Sequence, residues 1–176
     1  LADMKNDIQT FKENNIIAVR TCHYPDQLPW YSMCDDNGIY MMAENNLESH
    51  ATWQKMGRVA PSYNVPGSVP QWKEAVVDRA RTNYETFKNH PAILFWSLGN
   101  ESFVGDDMVA MQQFYKEHDD SRLVHYEEVC HTHDYSAANL IRRDDRARIF
   151  TKKTIRPDGR VLPLPHQAQN DRFQMK

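Results

Sequence analysis

Short apolar runs that alternate with helix-like segments restrict what this chain can fold into more than any other feature. Met4, Ile8 and Phe11 share one face of a helix expected over residues 3–14, and residues 16–19 follow as a short apolar strand. Residues 28–36 suit a second helix closed by Gly38, ahead of a buried strand at 39–43. After a loop rich in Pro and Gly, Ser68-Val69-Pro70-Gln71 has the form of a capping box with Pro in the first turn. The helix behind it places Trp72, Val76, Ala80, Tyr84 and Phe87 on one buried face and stops at His90-Pro91. Residues 92–97 form a third strand, 106–118 a helix carrying Met108, Met111 and Tyr115, and 123–126 a fourth strand. Such alternation implies a parallel sheet, either a barrel or a doubly wound layer.

Glycine decides against one of these. Neither G-x-G-x-x-G nor G-x-x-x-x-G-K occurs and the six glycines are scattered, so a phosphate-cradling Rossmann or nucleotide-hydrolase fold loses ground. A complete barrel typically needs about 250 residues, and the chain has 176, so a partial barrel is expected.

The end of the chain has a different character. Residues 1–140 hold 11 Lys/Arg and 20 Asp/Glu, whereas residues 141–176 hold 10 and 4. The boundary is placed at 135/136: a partial barrel domain over 1–135 and an irregular basic tail over 136–176, with at most a hairpin around Pro157-Asp158-Gly159. A nucleic-acid-binding arm is the alternative for the tail, but no aromatic residues are interleaved for base stacking. The longest apolar run, residues 92–96, is far short of the ~20 a membrane span needs, and no basic-then-apolar leader opens the chain. Neither nucleic acid nor membrane is an expected partner. Three cysteines without a C-x-x-C spacing argue against a disulfide framework and for a reducing compartment, the cytoplasm. Cys130-His131-Thr132-His133-Asp134 could suggest zinc, but a four-ligand site needs partners on a second loop and neither other cysteine has one beside it.

Polar residues recur just after each expected strand: Arg20, His23 and Tyr24; Glu44 and Glu48; Asn100 and Glu101; Glu127. In a barrel these crowd one rim, the face where such folds do chemistry. Carboxylates, amides and aromatic rings together suit glycoside hydrolysis, with one carboxylic acid protonating the leaving oxygen and a second attacking the anomeric carbon or activating water. Trp30, Trp96 and Tyr24 could offer faces to a sugar ring. A Glu after a strand is otherwise a helix cap or a surface charge.

Two long stretches are more specific. Asn15-Ile-Ile-Ala-Val-Arg-Thr-Cys-His-Tyr-Pro25, continued by Trp30-Tyr31, Asp35 and Gly38-Ile-Tyr-Met-Met42, closely resembles the first signature of the family 2 glycoside hydrolases. Lys88-Asn-His-Pro-Ala-Ile-Leu-Phe-Trp-Ser-Leu-Gly-Asn-Glu101 resembles the second, in the expected order and separation. Glu44-Asn-Asn-Leu-Glu-Ser-His50 between them looks like the segment that β-galactosidases use for magnesium. The resemblance covers roughly residues 5–131 and is nearest the β-galactosidases of lactic-acid bacteria, whose large subunit can pair with a small one. It implies strands two to five of a (β/α)₈ TIM barrel.

Carried over position by position, the resemblance implies Glu101 as general acid/base, Asn100 as the amide on the sugar 2-hydroxyl and His23 as part of the galactosyl pocket. It implies Glu48, His50 and Glu101 as ligands of Mg²⁺. A satisfied core histidine is the lesser alternative for His23, and on chemical grounds alone one imidazole is a poor match for a hard cation. Arg20 is expected to orient carboxylates, and Glu44 to be a carboxylate of the rim itself or one that supports it from behind. The implied activity is retaining hydrolysis of terminal β-D-galactosides in the cytoplasm, with β-glucuronidase or β-mannosidase as close alternatives and a carbohydrate-binding module as a distant one. The family's nucleophile is a glutamate after the seventh strand, yet none follows Glu128 here. The basic end therefore reads as a truncation, a frameshifted reading or an unrelated end. The expectation is an incomplete, inactive chain, or a non-catalytic subunit that needs a complementing polypeptide or oligomer.

Overall fold

A computed structural model describes residues 1–49 and 65–126. The order is α1 (Ala2–Glu13), β1 (Ala18–Arg20), α2 (Leu28–Asn37), β2 (Tyr40–Glu44), α3 (Pro70–Phe87), β3 (Ile93–Ser97), α4 (Asp106–His118) and β4 (Leu123–His125). The strands form one parallel sheet in the order β1-β2-β3-β4, with Val19 opposite Met41, Ala43 opposite Trp96 and Trp96 opposite Val124. Four consecutive parallel strands joined through helices are the expected α/β, partial-barrel arrangement. The expected tail, 136–176, lies outside the described residues.

Helix α1 buries Ile8 and packs Met4 and Phe11 against the core, and Phe11 meets the Trp30 ring edge-on at 6.0 Å. Gly38 ends α2 at φ 66, a left-handed turn for which glycine is the cheapest residue, while Ile39 N donates to Cys34 O at 3.0 Å. Between α3 and α4, the buried Tyr115 hydroxyl donates to Asn45 Oδ1 at 2.6 Å and accepts from Asn83 Nδ2 at 3.1 Å. One phenol thus ties both helices to the segment leaving β2.

Two expectations fail at α3. Val69 occupies the N-cap without a side-chain bond, so no capping box forms. Ser68 Oγ instead accepts from Asp106 N at 3.0 Å, because Gly67 is drawn across to the start of α4 by bonds with Phe103 O and Asp107 N. The buried face is Val76, Ala80, Asn83 and Phe87, whereas Trp72 is 46% exposed. It lies in the first turn, before α3 reaches the core. Val76→Ala should therefore lower stability by roughly 2 kcal/mol through loss of packed methyls, while Trp72→Ala should cost about 1 kcal/mol or less. Melting temperatures of the two variants check this order.

The sheet is pinned at the end where its strands begin. Asp35 Oδ2 lies 2.5 Å from His90 Nδ1, and Asp35 Oδ1 accepts from Ala92 N at 2.9 Å. Arg122 donates to Ile93 O at 2.9 Å, Lys88 O at 2.9 Å, His90 O at 3.2 Å and Asp119 Oδ2 at 2.8 Å, with its guanidinium 5.3 Å from the Trp96 ring centroid. The opposite end, where the strands finish, gathers polar side chains instead.

Candidate active site

Because all four strands run the same way, their last residues, Arg20, Glu44, Ser97 and His125, meet on one rim. Glu44 is its hub. Its side chain is fully buried, which an ionised carboxylate tolerates only when paired and hydrogen-bonded. Arg20 Nε forms a close ion pair with Oε2, Ser97 Oγ donates to the same oxygen at 2.7 Å, and His23 Nδ1 lies 3.1 Å from Oε1. The Glu44 amide donates to Thr21 Oγ1 at 2.9 Å, which fixes the backbone beneath the carboxylate.

The network then runs along the rim. Arg20 Nη2 donates to Asn100 Oδ1 at 3.0 Å, and Asn100 Nδ2 donates to Glu48 Oε2 at 2.5 Å. With a cation on its oxygen and a carboxylate on its nitrogen, the Asn100 amide has one sensible orientation. Backbone pairing continues beyond the strands: Asn45 N donates to Ser97 O and Asn100 N to Leu47 O, both at 2.9 Å, and Glu48 and Asn100 form a parallel bridge. Gly99 makes the close approach possible, since a Cβ there would stand 2.5 Å from Leu47 O. The next turn carries Glu101, partly exposed and at φ 40, a left-handed conformation uncommon outside glycine.

The structure thus joins His23, Glu48 and Asn100 through Arg20 and Glu44, with Glu101 adjacent. Arg20 pairs with the Glu44 carboxylate, and Glu44 is a rim carboxylate, one of the two places expected for it. Ser97 and Thr21 were not foreseen; the available signal for Ser97 was a polar residue closing the apolar run Ile93–Ser97. His50, Glu127 and the 130–134 run lie outside the described residues. Among the described residues, no group of three His, Cys, Asp or Glu side chains is arranged to hold a metal.

The aromatic expectation needs correction. Trp96 is buried, stacked on Tyr115 at 5.3 Å and donating Nε1 to Asp119 at 2.8 Å, and Trp30 is buried against Phe11. Both complete the core between sheet and helices and offer no face to a sugar. Tyr24 is exposed.

The profile described as "Glycosyl hydrolases family 2, TIM barrel domain" matches residues 1–158. The chain belongs to this family. Within it, the chain is 77% identical over 131 residues to the β-galactosidase large subunit of Lactobacillus acidophilus, covering 74% of this chain and 21% of that protein. The corresponding protein of Leuconostoc lactis is 71% identical over 132 residues, covering 75% and 21%. The β-galactosidase of Clostridium acetobutylicum is 51% identical over 150 residues, covering 85% and 16%. This family 2 chain therefore spans about a fifth of the length of the first two. Among solved structures, an uncultured Clostridium sp. β-glucuronidase superposes with TM-score 0.59 at 17% identity, covering 72% of this chain and 25% of its own. A Ruminococcus gnavus β-glucuronidase bound to D-glucuronic acid gives TM-score 0.54 at 22% identity, covering 72% and 21%. At these identities the likeness speaks to the fold alone.

Proposed function

We propose that this chain is the part of a retaining β-galactosidase that supplies its general acid/base, Glu101. The observation that carries the reading is Glu101 standing directly after Asn100, whose amide is fixed by Arg20 and Glu48, in a sequence 77% identical to a β-galactosidase large subunit. Glu101 as an acid gives its proton to the glycosidic oxygen while a nucleophilic carboxylate from the rest of the complete enzyme attacks the anomeric carbon. As the conjugate base it then takes a proton from the water that releases the sugar. Asn100 keeps a second amide hydrogen for the galactose 2-hydroxyl. The Nδ1 of His23 faces Glu44, so Nε2 is its nitrogen for a galactosyl hydroxyl.

Glu48, His50 and Glu101 are the proposed holders of Mg²⁺. Carboxylate oxygens suit a hard divalent cation, and the bridge between Glu48 and Asn100 sets Glu48 beside the residue before Glu101. A bound ion would tune the Glu101 carboxylate electrostatically. His50→Ala should weaken the magnesium dependence of turnover without abolishing turnover. A variant that answers to magnesium as the parent does would remove His50 from the site.

Relatives named large subunits point to a complementing small subunit as partner. No helix among the described residues is long and apolar enough to cross a membrane. Cys22 and Cys34 are free thiols, in keeping with a reducing, cytoplasmic setting.

The test is a chimera in which this sequence replaces the matched stretch of the L. acidophilus large subunit, expressed with its small-subunit partner. It should hydrolyse nitrophenyl β-galactoside and leave nitrophenyl β-glucuronide intact. The reverse preference would transfer the reading to β-glucuronidase.

A further inference from the structure

We infer that Tyr126, the residue following β4, is a positioning residue that fixes Glu101 for proton transfer by clamping the backbone of Ser102. The inference deepens the acid/base reading and rests on it. Glu101 sits at φ 40, and a non-glycine residue keeps such a conformation only where its flanks over-determine it. On one flank, Gly99 and Asn100 are held against Leu47. On the other, a single hydroxyl holds both polar backbone groups of Ser102. Tyr126 Oη accepts from Ser102 N at 2.8 Å and donates to Ser102 O in a close contact. Ser102 Oγ accepts from Ser49 N at 3.0 Å and donates to Asn100 O at 3.2 Å.

The clamp lies outside the sheet ladder. Pairing of β3 with β4 ends at Ser97 opposite His125, so the ladder cannot reach Ser102, and the phenol bridges the gap. Tyr126 is 1% exposed, and phenylalanine would fill the same space. Its loss of the hydroxyl would free the Ser102 peptide and let the turn relax toward ordinary φ, carrying the Glu101 carboxyl with it. A displacement of about 1 Å in a reacting group can cost about 100-fold in rate.

The experiment measures kcat/KM, which reports the first half-reaction, in the chimera with lactose and with dinitrophenyl β-galactoside. Lactose needs a well-aimed proton; dinitrophenolate leaves without one. Tyr126→Phe should lower the value for lactose roughly ten-fold or more and that for the dinitrophenyl substrate by less than about two-fold. Added to Glu101→Gln, it should have almost no further effect on lactose, because both changes remove one function. Ser102→Pro, which keeps Tyr126 but removes the backbone N–H that the phenol accepts from, should show the same discrimination and stands in if Tyr126→Phe does not fold, whereas Ser102→Ala, which leaves both phenol bonds in place, should discriminate less. Equal losses on both substrates, or losses that add fully to those of Glu101→Gln, would overturn the inference. Failure of Glu101→Gln itself to discriminate between the substrates would instead sink the acid/base reading. Discrimination by Glu101→Gln alone would sink only the role of Tyr126.

Discussion

In the chimeric enzyme, Glu101→Gln is expected to lower lactose hydrolysis by roughly 10²–10⁴-fold, the usual contribution of a positioned general acid or base. The amide fills the same space and keeps the Asn100 side of the rim intact, but it has no proton to give. Lactose, whose leaving group is an alkoxide, loses the most in the first half-reaction. A dinitrophenyl galactoside passes that step almost unaided and then stalls, because water attacking the glycosyl-enzyme needs the base that has gone. The covalent intermediate should accumulate and be visible by mass spectrometry after rapid quenching. In Glu101→Gly, where the side chain leaves its space vacant, azide, a nucleophile that needs no deprotonation, should restore turnover and yield galactosyl azide. Uniform, weak losses on every substrate with no response to azide would leave Glu101 as a surface charge and the family likeness as fold without function.

Arg122→Met should have the second largest effect, on stability. Its guanidinium holds three carbonyls, of Lys88, His90 and Ile93, as well as Asp119, and removing it leaves a buried carboxylate and three carbonyl oxygens without that partner. Breaking such a pair from one side costs about 3–5 kcal/mol, which in a domain of this size lowers the melting temperature by roughly 10 °C or more. Thermal unfolding followed by circular dichroism reads the shift. Acid should find the same weak point. Burial on its own raises the Asp119 carboxyl, but hydrogen bonds from Ser121, Trp96 and Arg122 outweigh it and hold the group down at about 2. Because the folded value lies below that of an ordinary aspartate, the stabilisation is complete above about pH 4 and fades as pH falls toward 2. Asp119→Asn should flatten that acid limb of the stability profile.

Local pattern made most of the scaffold legible. The helix at Asp106–His118 has its expected bounds, Gly38 turns left-handed where α2 stops, and every strand lies within about two residues of its expected place. The rim cluster was also readable, because polar residues at the ends of parallel strands have no other place to go. What escaped reading depends on contacts between distant segments. Ser68 looks like a helix cap in sequence and serves Asp106 in space. Trp72 has the right spacing for the buried face but lies before the helix reaches the core, while Asn83, polar and unremarkable in sequence, is buried because Tyr115 meets it. Trp96 and Trp30 satisfy the chemistry of a sugar platform, yet packing places them behind the sheet. Nothing in the spacing of Ser102 and Tyr126 announces their bond.

The strand order β1-β2-β3-β4 also bears on how the chain is made. Every strand pairs with the one synthesised just before it, so none has to wait for a later segment to be inserted between neighbours. The longest interval falls between Glu44 and Ile93, a matter of several seconds at synthesis rates of roughly 5–20 residues per second. During that interval the β1–β2 pair is covered on its helical side by α1 and α2 alone, and the hub carboxylate of Glu44 already has Arg20 but not yet Ser97. The ribosome thus delivers the cation Arg20 before the carboxylate Glu44, so that this charge has its partner when it arrives, and Ser97 and Asn100 join the network later.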